Sequence, residues 1–177
     1  TLAVLSLLRQ QQIKHQRQLA HERRLHQLAY FDSLTGLPNR QSFYENLEKF
    51  ISLAKRGKYK AGVMFIDLDR FKRINDTLGH DYGDKVLQEV AHRLKLSVRD
   101  SDIVARNYQV DSFNNEIARL GGDEFTLFLS HIDSAEETSS VTQRIIDNLS
   151  KPILIENYEL TVTPSIGIAI YPENGET

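Results

Sequence analysis

The sequence predicts an α+β domain, a mostly antiparallel sheet with helices covering one of its faces, preceded by an N-terminal helix. Three observations predict it. Segments whose apolar residues recur at helical spacing alternate with short apolar runs that read as strands. Two glycines then run straight into two acids and a strand-like stretch, Gly121-Gly122-Asp123-Glu124-Phe125-Thr126-Leu127-Phe128-Leu129, which reads as a tight turn entering a strand. The other uninterrupted apolar run, Val63-Met64-Phe65-Ile66, ends in Asp67-Leu68-Asp69, so two predicted strand mouths carry carboxylates. A chain of 177 residues fits one domain plus an extension, and 40% hydrophobic residues are ample for a core.

In chain order, the first residue is Thr1 rather than Met, which predicts a piece of something longer. Leu2 to Leu8 is apolar but far short of the ~20 residues that span a bilayer. It reads either as the exit of a transmembrane helix or as the start of a soluble one. Arg9 to Tyr30, rich in Gln, His, Arg and Leu and free of Gly and Pro, predicts a helix. Its apolar residues (Ile13, Leu19, Leu25, Leu28) are sparse and keep no clean heptad. Residues 1–31 are therefore set apart as an N-terminal linker helix and residues 32–177 as the domain. Thr35-Gly36-Leu37-Pro38-Asn39 breaks the helix, with Asn39 as N-cap. Phe43, Leu47, Phe50, Ile51 and Ala54 form one face of the next helix, which Gly57 ends. After the Val63–Ile66 strand the chain turns at Asp69 and opens a helix. Another runs from about Tyr82 to Val98, with Val86, Leu87, Val90, Ala91 and Leu94 on one side. Ser134-x-x-Glu137 is a capping box before a stripe of Val141, Ile145 and Leu149. Strands at Tyr158–Thr163 and Ser165–Tyr171 close the chain, with Pro152, Pro164 and Pro172 at edges or turns. Asp102-Ile103-Val104-Ala105-Arg106 is echoed by Asn115-Glu116-Ile117-Ala118-Arg119.

Composition narrows the chemistry. A net charge of −2 gives no footprint for a nucleic-acid polymer or an anionic membrane. The absence of cysteine excludes disulfides and thiolate metal sites. Taken alone, the glycine turn could be a surface hairpin with solvated charges, and Asp67 could be a helix cap. A cap explains one Asp, but not Asp67-x-Asp69 together with a second acidic turn. An Asp abutting an apolar run calls for a cation. Two acids beside bare backbone suit Mg²⁺ carrying nucleotide phosphates, since that ion takes one or two protein carboxylates plus phosphate oxygens.

Together, Asp67-x-Asp69-x-Phe71-Lys72-x-x-Asn75-Asp76 and Gly121-Gly122-Asp123-Glu124-Phe125 resemble the motifs of the GGDEF family of diguanylate cyclases. Supporting strings, in the family's order, are Asp32-Ser33-Leu34-Thr35-Gly36-Leu37-Pro38-Asn39-Arg40, Gly79-His80-Asp81-Tyr82-Gly83-Asp84 and Ser165-Ile166-Gly167-Ile168-Ala169. The resemblance implies a ferredoxin-like core similar to nucleotidyl cyclases and the polymerase palm. It implies a Mg²⁺- or Mn²⁺-dependent nucleotidyltransferase that acts as a homodimer, joining two GTP into cyclic di-GMP with release of two pyrophosphates. By the same resemblance Asp67, Asp123 and the backbone carbonyl of Leu68 hold metal, and Glu124 is either a further ligand or an assisting base. Lys72 steadies phosphate charge, Phe71 belongs to the substrate site, and Asn75 and Asp84 read guanine. His80 is either a substrate contact or a structural helix-end histidine.

Arg99-Asp100-Ser101-Asp102 fits the family's Arg-x-x-Asp product-binding pattern, displaced upstream by an insertion of about Asn107 to Arg119, and Arg144 matches a supporting arginine. Residues on either side of the tip Asp111–Asn115 are expected to pair as a protruding hairpin. The family continues into a helix whose lysine and arginine hold terminal phosphates, so the C-terminal end of the domain is expected to lie beyond Thr177. A sensor or membrane domain is expected upstream, with this domain in the cytoplasm and the cyclic dinucleotide both product and inhibitor. The alternatives are a non-catalytic GTP or cyclic di-GMP binding module and a purine mononucleotide cyclase of related fold.

Overall fold

The computed structural model describes residues 2–98, 116–132 and 135–175. Helix α1 (Leu2–Tyr30), with no Gly or Pro to interrupt it, runs as one rod into the domain. Its Ile13, Leu19, Leu25 and Leu28 are exposed. Among the described residues no helix is long and apolar enough to cross a membrane.

Helix α2 (Arg40–Gly57) begins where the sequence places its cap: the Ser42 N–H donates to Asn39 Oδ1 at 3.0 Å. It ends at Gly57 as the sequence predicts, with Lys58 in the left-handed region (φ 55) and the Tyr59 N–H donating to the Ala54 carbonyl. Strand β1 (Lys60–Leu68) is followed by a short helix α3 (Phe71–Leu78) and, across Gly79 alone, by helix α4 (His80–Ser97), which starts two residues earlier than predicted. Strands β2 (Glu116–Gly121) and β3 (Glu124–Ile132) flank the glycine turn, and helix α5 (Ala135–Leu149) follows. Residues 99–115 lie outside the described residues, and with them the expected hairpin. So does Ser134 of the predicted capping box. The expected insertion extends to Arg119, but Glu116–Arg119 belong to β2 and pair with β3.

The predicted strand Tyr158–Thr163 is corrected. Only Tyr158–Leu160 (β5) is extended, and it pairs with Ile153–Ile155 (β4) in a separate hairpin, turned at Glu156 with φ 55. The last strand, β6 (Pro164–Tyr171), joins the main sheet. That sheet has the order β2-β3-β1-β6 with every pair antiparallel. β1 reaches both of its sheet neighbours, β3 and β6, through crossovers, so the first strand in sequence is central. This is the ferredoxin-like arrangement.

Side chains alternate across β1. Met64, Ile66 and Leu68, with Phe125, Leu127 and Leu129 of β3, bury themselves against Val86, Val90 and Leu94 of α4 and Val141, Ile145 and Leu149 of α5. One covered face was expected. The structure covers part of the other as well, because Ala61, Ala118 and Phe128 are apolar on that side and meet Phe43, Phe50 and Ala54 of α2. Phe50 stacks on Phe128 with ring centroids 3.8 Å apart. A run apolar at every position, as Val63–Ile66 is, suits a strand packed on both faces. Toward the carboxyl end of β1 that face is open, and Phe65 and Asp67 are exposed.

Phe50→Ala removes one half of that stack from a site 2% exposed. Urea unfolding should show a loss of about 3–5 kcal/mol. A loss below ~1 kcal/mol would mean that α2 is not anchored there.

Candidate active site

The register of β1 with its neighbours assembles the site. Asp67 stands opposite Glu124 on β3 and opposite Ser165 on β6. Between β2 and β3 the chain reverses at Gly121 (φ 140) and Gly122 (φ 54), conformations that favour glycine. The reversal delivers Asp123 to the start of β3, beside Glu124. Asp67 and Glu124 are exposed and Asp123 half-buried.

The two aspartates after the β1 run differ in use. Asp69 is tied down: Thr163 and Ser165 hydroxyls each donate to its carboxylate at 2.7 Å, and its N–H donates to the Thr163 carbonyl. These bonds hold its pKa below the usual carboxylate range. Asp67 has no cationic neighbour among the described residues. Desolvation, then repulsion from Asp123, Glu124 and Asp69, pushes its pKa up. Such mutual repulsion is what a divalent cation relieves. Among the described residues no three His, Cys, Asp or Glu side chains converge on one point. Asp67 and Asp123 with the Leu68 carbonyl are the oxygen donors that could hold Mg²⁺, which needs few protein ligands when phosphates supply the others. The Leu68 side chain is itself buried.

Two arginines that sequence reasoning left without a role hold the turn. Arg119 donates through Nε and Nη2 to the Gly122 carbonyl at 3.0 and 2.8 Å, and through Nη1 to both oxygens of Asp32 at 2.9 and 3.0 Å. Its N–H donates to the Pro38 carbonyl. Asp32 also accepts from the Thr35 N–H and hydroxyl. Arg40 donates to the Leu120 carbonyl at 3.2 Å and lies 3.6 Å from Glu124. The Asp32–Arg40 string is thus the cradle of the glycine turn. The available signal was an arginine two residues before a glycine pair and an unpaired Asp in an upstream turn.

Beyond Asp69 the chain takes a left-handed step at Arg70 (φ 59) and α3 begins. The Phe71 ring is buried in the core, so its exposed chemistry is confined to its backbone. Lys72 is exposed. Asn75 on α3 and Asp84 on α4 lie on neighbouring packed helices, with His80 the first residue of α4. Of the predicted product site, Arg99 and Asp102 lie outside the described residues. Arg144 on α5 donates to the Ser97 carbonyl at the end of α4 at 3.0 Å. The structure therefore brings Asp67, Asp123 and Glu124 together at one sheet end, with Lys72, Asn75 and Asp84 on the adjoining helix pair. A cavity of about 990 Å³ beside α3, lined by Asp69, Arg70, Arg73 and Thr163 among others, includes none of the three acids. They stand on an open surface.

The Asp32–Arg119 pair is only 20% and 10% exposed at its side chains, so removing one partner should be costly, about 3–5 kcal/mol for Arg119→Ala in chemical unfolding. Burial pushes the Asp32 pKa up, but hydrogen bonds from Thr35 and Arg119 outweigh it and leave it lowered. Its contribution is therefore complete above the ordinary carboxylate pKa of about 3.9 and disappears as the pH falls through the lower folded value. The stability gap between wild type and Asp32→Asn should be flat near neutral pH and close on acidification. A gap that stays constant down to the acid-unfolding limit would contradict this.

Comparison with known proteins bears on this geometry. The family model described as diguanylate cyclase, GGDEF domain, matches residues 29–114 and 109–177. The chain is 41% identical over 153 residues to the cyclic di-GMP phosphodiesterase NbdA of Pseudomonas aeruginosa, covering 86% of this chain and 18% of that protein. It is 39% identical over 160 residues to the diguanylate cyclase TpbB of Pseudomonas aeruginosa, covering 90% of this chain and 32% of that protein. It thus spans less than a third of the length of either relative. The solved GGDEF domain of TpbB superposes with a TM-score of 0.73 at 38% identity, covering 84% of this chain and 79% of that one. On the matched residues, the sheet order and the turn with its acids, this chain belongs to the GGDEF domain family.

Proposed function

We propose that this chain is the catalytic domain of a diguanylate cyclase, condensing two GTP into cyclic di-GMP with release of two pyrophosphates. The observation that carries the reading is the meeting of Asp67, at the end of β1, with the intact acids of the glycine turn across a fixed register. Kinship with a diguanylate cyclase supports it.

In this reading Asp67, Asp123 and the Leu68 carbonyl would hold Mg²⁺ or Mn²⁺. Bound there, the ion would supply charge to polarise phosphate oxygens and lower the pKa of an attacking hydroxyl. Glu124 is the remaining carboxylate within reach, as a further ligand or as the base that takes the 3′-hydroxyl proton. The first N–H groups of α3, beginning with that of Phe71, and the ammonium of Lys72 face the triphosphate. The Asp84 carboxylate accepts from guanine N1–H and the 2-amino group, and Asn75 adds a second polar contact to the base. His80 borders that pocket. Each 3′-hydroxyl attacks the α-phosphate of the other nucleotide, so two copies of the open acidic surface must face one another. A homodimer is the simplest source. Arg144 would take part in product binding together with Arg99 and Asp102, which lie outside the described residues. An upstream sensor or membrane segment would join through α1, with the catalytic domain in the cytoplasm.

A second reading has one observation in its favour: a relative as similar as the cyclase is named a phosphodiesterase. In such a protein a domain of this family could serve as a nucleotide-binding module. Incubation with GTP and Mg²⁺ followed by mass spectrometry separates the two. Cyclic di-GMP is expected, and Asp67→Asn or Asp123→Asn should each abolish it while leaving the circular dichroism spectrum unchanged, because an amide keeps the shape but loses the charge that holds a hard cation. Bound but unconverted GTP would favour the binding module, and a cyclic mononucleotide would refute both.

Base choice is a separate expectation. Asp84→Ala should weaken GTP binding by ~1–3 kcal/mol and leave the poorer ATP binding nearly unchanged. Equal losses for both nucleotides in calorimetry would mean that Asp84 only supports the fold.

A further inference from the structure

Gly83 lies inside α4, flanked by Tyr82 and Asp84. Its backbone does not need glycine, since among the described glycines positive φ values occur at Gly36, Gly79, Gly121 and Gly122 and not here. Alanine is the better helix former at such a position. The reason for glycine is therefore what lies opposite. A Cβ at residue 83 would collide with Asn75 Oδ1, would stand 2.9 Å from Asn75 Cγ and would sit 3.1 Å from Phe71 Cζ. Those atoms belong to the side chains that seat α3 on α4. Neither can swing away cheaply, because Phe71 is buried in the core and Asn75 Oδ1 is enclosed.

The second observation concerns Asn75 itself. Its Oδ1 is buried and has no hydrogen-bond partner. A buried amide oxygen left unpaired is costly, and natural structures rarely keep one without a use for the rest of the group. With the oxygen parked against Gly83, Nδ2 is the end of the carboxamide left to meet a ligand. An N–H donor complements the acceptor atoms of guanine, just as the Asp84 carboxylate, one residue from Gly83, complements its donors.

We propose that Gly83 is a positioning residue for base recognition: by lacking a side chain it lets the Asn75 carboxamide lie between α3 and α4 with its nitrogen outward, and so sets the spacing of Asn75 from Asp84. The proposal rests on the reading of this site as a guanine pocket, and its test separates the two. The helix boundary at Gly79, whose N–H donates to the Asn75 carbonyl, fixes the backbone of Asn75, so the side-chain position is decided by what α4 offers opposite it.

The test uses this chain, Mg²⁺ and GTP or ATP analogues with a methylene bridge between the α- and β-phosphates. Wild type should bind the GTP analogue more tightly than the ATP analogue. If it does not, the guanine reading falls before any substitution is made, and this proposal falls with it. Gly83→Ala should move the Asn75 side-chain amide cross-peak in the ligand-free ¹H–¹⁵N spectrum, weaken the GTP analogue about tenfold and leave the ATP analogue unchanged. Gly83→Ala should add no further loss in an Asn75→Ser background, where the shorter side chain leaves room for the methyl group. If Gly83→Ala alone does not fold, the double variant should fold and bind as Asn75→Ser does. An unmoved cross-peak with wild-type affinity would overturn the proposal. So would a double variant that loses affinity as if the two effects were additive, or one that fails to fold, since Gly83 would then be a general packing position.

Discussion

The pairing of β1 with β3, with Asp67 opposite Glu124, is the constraint on which the rest of the molecule depends. β1 is hydrogen-bonded on both edges, and its Met64, Ile66 and Leu68 are almost fully buried. A slip of one residue would turn those three toward the opposite face and carry Asp67 into the core. The apolar residues thus fix the acid. Placing Asp67 beside Asp123 and Glu124 gathers like charges at one sheet end, where the nearby Arg40 pairs with Glu124 and not with Asp67, and desolvation followed by this repulsion pushes the Asp67 pKa up. A fold stabilised elsewhere tolerates such a cluster, and perturbed acids gathered in one place mark a candidate functional site.

The other half of the site is held by hydrogen bonds rather than packing. Arg119 connects the Gly122 carbonyl to Asp32, and its own N–H reaches Pro38. Asn39, which caps α2, donates through Nδ2 to the Ala29 carbonyl and through its backbone N–H to Tyr30. The end of α1, the start of α2 and the glycine turn therefore share one continuous set of bonds. The position of Asp123 is set jointly by the strand register and by a turn that is distant in sequence.

Much of this was legible in the sequence, and the gaps have physical causes. The Val63–Ile66 strand, the α2 stripe, the Asn39 cap and the turn at Gly121-Gly122 are local features, each decided by neighbours a few residues away. The second core, under α2, was missed because periodicity tells which residues of an element are apolar and not which element will cover them. Tyr158–Thr163 was drawn too long because β5 finds its partner in β4, and only three residues of each match. The placing of Asp67 opposite the acids of the glycine turn follows from two local motif strings, whereas the contacts of Arg119 and Arg40 do not. Their contacts cross 87 and 80 residues of chain, and local sequence shows that an arginine and an aspartate stand near turns without showing which turn each will meet. Gly83 belongs with these, since its meaning lies in Asn75 on another helix.

The central claim, that the strand register builds one divalent-cation site from β1 and the glycine turn, can be tested without turnover. Mn²⁺ broadens nuclear resonances steeply with proximity, so titrating it into ¹⁵N-labelled protein with a non-reactive GTP analogue reports the site by position. The amide signals of Asp67, Leu68, Asp69, Gly122, Asp123 and Glu124 should be lost before any others. Signals that fade first around another set of residues, or uniformly along the chain, would contradict it.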